Sequence, residues 1–237
     1  MRPLSLQVRD QLLEAIRGGG FDDGRLPPES ELASQLGVSR TTVRAALQGL
    51  ADDGLVTRRR RHGTVVNAHL LRASMPLNRL VPFRDLIEQC GHEPFVDPPE
   101  TRRDGASDVA ALALGVALGA PCVVVDRLLR AGGTPVIAIC DVVPLEHLRV
   151  APEDVRAGDS TFAFLASDGV ARAAYATTEI VPRVAQEGEP RGLGIAPGRA
   201  YVELRETLFS PDHERIAFSA VAVDDAMVRL SLLRRES

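Results

Sequence analysis

Lysine is missing altogether: every one of the 28 basic residues is an arginine. A Walker-type phosphate loop and a pyridoxal Schiff base both need a lysine amine, so those two chemistries are excluded. Cysteine is scarce, and Cys90, Cys122 and Cys140 form an odd, widely spaced set without a CxxC pair. That pattern argues against a disulfide framework and against a zinc site, and it reads as buried thiols. No metal and no cofactor is expected. No apolar run is long enough to span a bilayer, and Met1-Arg2-Pro3 does not open a signal peptide, because Leu12 to Ile16 belong to a charged amphipathic pattern. A cytoplasmic protein without membrane attachment is the expectation. The five histidines form no cluster and no nucleophile motif is present, which weighs against catalysis.

What is present fits a globular chain of 237 residues, 45% hydrophobic, with room for one small and one medium domain. The net charge of −4 divides unevenly. Residues 1–66 hold ten Arg against eight Asp or Glu, whereas residues 67–237 hold eighteen against twenty-four. The positive end is where a nucleic acid would be met.

Within that end, Leu32, Ala33 and Leu36 recur at helical spacing, Gly37 breaks the pattern, and Val43, Ala46, Leu47 and Leu50 restart it after Ser39, an N-cap residue. Two short helices around a glycine turn are a helix-turn-helix. A preceding helix from about Ser5 to Arg17 completes the small domain. The second helix of the motif, Arg40–Asp53, is expected to read DNA: Ser39, Arg40, Thr41, Thr42 and Arg44 occupy its start, where side chains and free N–H groups meet phosphates and base edges. Arginine suits bidentate contact with guanine, and threonine suits phosphates and the thymine methyl. Next, Leu55-Val56-Thr57, Arg58 to Arg61, His62-Gly63 and Thr64-Val65-Val66 spell a two-stranded hairpin with a cationic tip. Its DNA-facing candidates are Arg59, Arg60, Arg61, His62, Gly63 and Thr64.

The rest holds an internal echo. Leu114-Gly115 leads into strands at Cys122 to Leu129 and Pro135 to Val143; roughly 80 residues later Leu193-Gly194 leads into Tyr201 to Phe209 and Arg215 to Val223. Helices are expected at Phe83–Gln89, Ser107–Leu114, Ser160–Ala166 and Glu187–Leu193, so each copy reads as a short helix followed by a hairpin. The whole is α+β in two domains: a winged helix-turn-helix over 1–67, a linker over 68–79, and helices on a mostly antiparallel sheet over 80–237.

The stretch LPPESELASQLGVSRTTVRAAL, followed by GLV and a wing ending in Gly63-Thr64, resembles the DNA-binding domain of GntR-type bacterial transcription regulators. Pro28 stands where the family has a capping serine, Ser30 where it has an arginine near DNA, and Arg61 where it has the first wing glycine. The second half resembles the UTRA sensor domain of the HutC-type members, similar in fold to chorismate lyase. Phe83 to Gly91, the two LG-containing hairpin units and Asp159-Ser160-Thr161-Phe162 carry that likeness. The missing lysine also removes the aminotransferase-like branch of the family.

The resemblance implies a homodimeric regulator that binds double-stranded DNA at a near-palindromic operator and responds to a small-molecule effector, with repression in the absence of ligand as the usual mode. In members that bind phosphorylated sugars, the first sensor hairpin supplies an RxR pair and a glutamate, and the last hairpin a glutamate and a tyrosine. Arg127 matches the first arginine, but Leu129, Ile139, Ala217 and Val223 fall on the other positions. A largely apolar effector is therefore implied, with Arg127, Asp141, Ser160, Thr161 and Phe162 as further candidate contacts. Cys140 points away from Ile139 in a regular strand. Two rival readings remain: a chorismate-lyase-like enzyme fused to a DNA-binding domain, and a constitutive DNA-binding protein without effector.

Overall fold

The computed structural model describes residues 3–18, 20–21, 24–59, 63–67, 74–77, 80–224 and 228–231. The chain falls into two compact units, Met1–Asn78 with Ser231–Ser237, and Arg79–Leu230.

The first unit contains α1 (Leu4–Arg17), β1 (Arg25–Leu26), α2 (Glu29–Leu36), α3 (Arg40–Asp52), β2 (Val56–Arg59), β3 (Gly63–Val66) and β4 (Ser74–Pro76). The helical period gathers Val8, Leu12, Leu13 and Ile16 on one side of α1, where they pack with Leu32 and Ala33 of α2 and Val43, Ala46, Leu47 and Leu50 of α3. Burying each of the large aliphatic side chains contributes roughly 1.5–3 kcal/mol before chain entropy is counted. Arg9 of α1 reaches the carboxylate of Asp53 at the end of α3, a pair almost closed to solvent. Between α2 and α3 the chain turns at Gly37, whose φ of 64° lies in the left-handed region that only glycine enters without strain.

The wing departs from the expected two strands. It is a three-stranded antiparallel sheet in the order β1-β3-β2, with Arg25 opposite Val65 and Leu26 opposite Thr64. A two-residue strand has no period for a sequence pattern to reveal. β4 falls inside 68–79, the stretch read as linker; residues 68–73 and 78–79 lie outside the described residues.

The second unit contains α4 (Phe83–Gln89), β5 (Pro94–Val96), β6 (Glu100–Gly105), α5 (Asp108–Leu114), β7 (Pro121–Ala131), β8 (Thr134–Pro144), α6 (Thr161–Ser167), β9 (Tyr175–Val184), β10 (Ala200–Phe209) and β11 (Arg215–Val223). One antiparallel sheet runs β5-β7-β8-β11-β10-β9, with β6 also paired to β7. The strand alternation separates its two faces. On one, Phe164 and Leu165 of α6 pack on Val123, Val125, Leu208 and Ala217. On the other, Ala110, Ala111 and Leu114 of α5 pack on Cys122, Val124, Val142 and Phe218. The arrangement is α+β.

Glu187–Leu193, expected to be a helix, is a run of turns. Gly188 and Gly192 sit at φ 77° and 83°, and Pro190 has no N–H to donate, so a helical ladder cannot form through them. The second copy of the echo therefore keeps its hairpin and lacks its helix. Strand β9, absent from the sequence reading, pairs along its whole length with β10 and is exposed on both faces over most of it. Among the described residues, no helix is long and apolar enough to cross a membrane.

Candidate functional site

Two sites emerge, one in each unit. In the first, Ser39 caps α3: its Oγ accepts the Thr42 N–H at 3.1 Å and lies 2.7 Å and 2.8 Å from the hydroxyls of Thr41 and Thr42. This cap fixes the first turn, and Arg40, Thr41 and Arg44 are exposed on it. Arg44 does not wave freely. Its Nε and Nη2 donate to Glu29 Oε2 at 3.1 Å and 2.8 Å, while Arg58 of β2 donates to the other oxygen of the same carboxylate. Glu29, at the start of α2, thereby ties α3 to β2. The Arg44 hydrogen bond holds the Glu29 carboxyl below its ordinary pKa and raises that of Arg44 itself. Gln48 of α3 also accepts from Arg58, at 3.3 Å.

Sequence reasoning missed Glu29 and passed over Arg58. The signal was available: an acidic residue in the first turn of one helix, facing an arginine of the next. Gly63 and Thr64 open β3, with Gly63 opposite Arg59 and Thr64 opposite Arg58. Arg60, Arg61 and His62 lie outside the described residues, as does the side chain of Arg59.

In the second unit, the candidate effector residues separate into two groups. Leu129, Ile139, Ser160, Thr161 and Phe162 line one narrow recess of about 10 Å³, scarcely room for one water, together with Pro82, Phe83, Asp159, Glu206 and Leu208. Ser160 caps α6 by accepting the Ala163 N–H at 3.1 Å. Arg127, Asp141, Ala217 and Val223 are on the same sheet face but do not line the recess. Ala217 is wholly buried under α6 with Phe164, and Val223 sits near the end of β11 opposite Ile137 and Val202.

Arg127 and Asp141, candidate effector contacts from the sequence, are fully buried and hold each other. Arg127 Nη1 donates to Asp141 Oδ2, Nη2 to the Ala157 carbonyl, and Nε to the Gly158 carbonyl at 3.3 Å. Asp141 also accepts from the hydroxyls of Thr161, at 2.9 Å and 3.0 Å, and of Ser219. The guanidinium lies over the Phe164 ring, 5.9 Å from its centre. Saturated in this way, the pair is affordable inside the protein and clamps the loop before α6 to the sheet.

The recess contains a carboxylate that the sequence reading did not select. Glu206 of β10 occupies the inward phase of Leu204-Arg205-Glu206-Thr207-Leu208, where its neighbours on that phase are leucines. Its partner is the Thr178 hydroxyl, at 3.1 Å. Burial pushes the Glu206 carboxyl up to about 7, with the Thr178 hydrogen bond lowering it and the charge of Asp141 raising it.

Cys140 faces the opposite side of the sheet, as its alternation with Ile139 requires, and there it borders a wider cleft with Leu128, Tyr201, Glu203 and Arg191. Burial pushes its thiol up to about 12, so it is unreactive near neutral pH. Among the described residues, no group of three or more His, Cys, Asp or Glu could hold a metal ion.

Comparison with known proteins agrees with this geometry. Residues 4–66 match the model of bacterial regulatory proteins of the gntR family, and residues 91–223 match the UTRA domain. The chain is 33% identical over 199 residues to an uncharacterized HTH-type transcriptional regulator of Rhizobium meliloti, covering 83% of this chain and 81% of that one. It is 27% identical over 213 residues to the HTH-type transcriptional repressor NagR of Bacillus subtilis, covering 87% and 84%. Its fold is similar to the crystal structure of the possible transcriptional regulator YydK of Bacillus subtilis, with a TM-score of 0.72 at 14% identity over 99% of this chain and 100% of that one. The chain belongs to the GntR family of bacterial transcription regulators, in its HutC-type, UTRA-bearing form. It is a DNA-binding regulator with an effector-binding domain, not an enzyme.

Proposed function

We propose that the chain is a transcriptional repressor that binds a near-palindromic operator as a homodimer and leaves it when a small, largely apolar effector enters the recess beneath α6. Residues 1–67 read the DNA, 80–237 sense the effector, and 68–79 join them. The observation that carries the reading is the Ser39-capped helix with Arg40 and Arg44 exposed on its first turns and Arg44 braced by Glu29. Arg59, Arg60, Arg61, His62, Gly63 and Thr64 add the wing. Dimerisation is supported by the edge strand β9, which leaves Tyr175, Ile180 and Val184 exposed, and by the few base pairs that one reading helix can address.

The apolar effector is supported by Leu129, Ile139, Phe83 and Leu208 in the recess. A sugar's hydroxyls would find few partners there, at a cost of about 1–3 kcal/mol for each one stranded. Because the recess has a volume of only about 10 Å³, a ligand must displace α6 or the lining side chains to enter. Any such ligand binds one conformation better than the other, which is the requirement for control. The experiment is a thermal-shift screen of the full chain against small apolar metabolites, repeated with Ile139→Trp to fill the recess. Stabilisation of the native protein alone is the expected result; equal stabilisation of both removes the recess as the effector site.

A further inference from the structure

We infer that Glu206 is the polar anchor of the recess and that the effector carries a cationic nitrogen on an apolar body. The inference rests on the reading of the recess as the effector site. The described arginines near the recess already hold carboxylates. Arg127 is spent on Asp141 and on the carbonyls of Ala157 and Gly158. Arg84, from α4, donates to Asp159 at 2.6 Å. The Ser160 hydroxyl accepts from Ala163, and the Thr161 hydroxyl donates to Asp141. Among the described residues, Glu206 has one neutral partner, the exposed Thr178 hydroxyl; Ser219, opposite it on β11, is turned to Asp141.

Among the described residues, no uncommitted arginine would balance a carboxylate ligand that meets Glu206 here, and Asp159 lines the same recess. An ammonium would supply the missing counter-charge, while Leu129, Ile139, Leu208 and Phe83 enclose its hydrocarbon part. The groups facing Glu206 from its neighbours are Thr178 on β9, Ser219 on β11, Asp141 with Arg127 behind it, and Asp159 to Thr161 at the start of α6. Among the described residues, no histidine lines the recess. The carboxyl, raised to about 7 mainly by burial, is therefore the group that titrates there near neutral pH.

The test uses three probes of one shape: cyclohexylmethylamine, cyclohexylmethanol and cyclohexanecarboxylate, titrated by calorimetry into the full chain at pH 8. The amine should bind about ten- to hundred-fold tighter than the alcohol, the range of a charge-assisted hydrogen bond, and the carboxylate weakest. Glu206→Gln should erase the amine's advantage and leave the alcohol unchanged. In the unaltered protein the advantage should shrink as pH falls from 8 to 5.5, because protonation removes the counter-charge; this arm needs no variant. A carboxylate that binds tightest, or an amine advantage that survives both Glu206→Gln and low pH, overturns the anchor while leaving the recess in place. Binding of all three probes that survives Ile139→Trp, or no binding at millimolar concentration, overturns the recess itself.

Discussion

Asp141 is a carboxylate with no solvent, held by one arginine and two hydroxyls. Removing one side of such a set leaves an uncompensated buried charge, so Arg127→Met alone should cost about 3–5 kcal/mol of stability. Arg127→Met combined with Asp141→Leu should cost distinctly less, because no charge is stranded. Urea unfolding of the two variants checks the difference; equal losses would mean that the pair itself, not the orphaned charge, sets the cost. Glu206 makes the opposite kind of contribution. Its folded-state pKa of about 7 lies above the ordinary 4.5, so its stabilising share is complete below 4.5 and is lost as pH rises through 7. Glu206→Gln should match the native protein at pH 5 and exceed it at pH 8, by on the order of 2 kcal/mol. Urea midpoints at the two pH values decide it, and a variant that is less stable at both contradicts the buried-carboxylate picture.

At the scale of elements, legibility followed length and period. The spans of α1, α3, α4 and α5 and the strands β7, β8, β10 and β11 could be read closely, because the helices carry apolar residues at helical spacing and the strands are long runs rich in apolar residues, paired as hairpins around short turns. β1 was too short to carry a period. β9 was hidden because it lies at a sheet edge with both faces exposed and Pro182 inside it, so no apolar alternation survives. Glu187–Leu193 misled because its apolar and charged spacing mimics a helix while two glycines and a proline forbid one. The sites divide likewise. The capped start of α3 was legible in Ser39 and the residues after it, whereas Glu206 and Glu29 needed the register and the fold to show what they face. The cap is open to test: Ser39→Ala should cost about 1 kcal/mol of stability and weaken DNA binding by loosening the turn that bears Arg40. Thermal melts and a binding titration measure both; unchanged DNA affinity would separate the cap from the reading surface.

At the scale of the whole molecule, a GntR DNA-binding domain is followed by a UTRA domain, and the proposed dimer would bring two copies of α3 to one operator. If β9 forms the contact between copies, Ile180→Lys should shift the full chain toward monomer in light scattering at micromolar concentration and weaken operator binding, since the second half-site is lost. An unaltered dimer would move the interface elsewhere. Effector and operator should each weaken the other's affinity by one common factor, as linkage demands. The most direct measurement is fluorescence anisotropy of the full chain on a duplex selected from a random DNA pool, against a scrambled duplex, at several salt concentrations. The native protein should prefer the selected duplex. Arg44→Ala should lose about 1–3 kcal/mol of affinity together with much of that preference, while Arg58→Ala should weaken both duplexes alike. An Arg44→Ala protein that keeps both affinity and preference would contradict the assignment of α3 as the element that reads DNA.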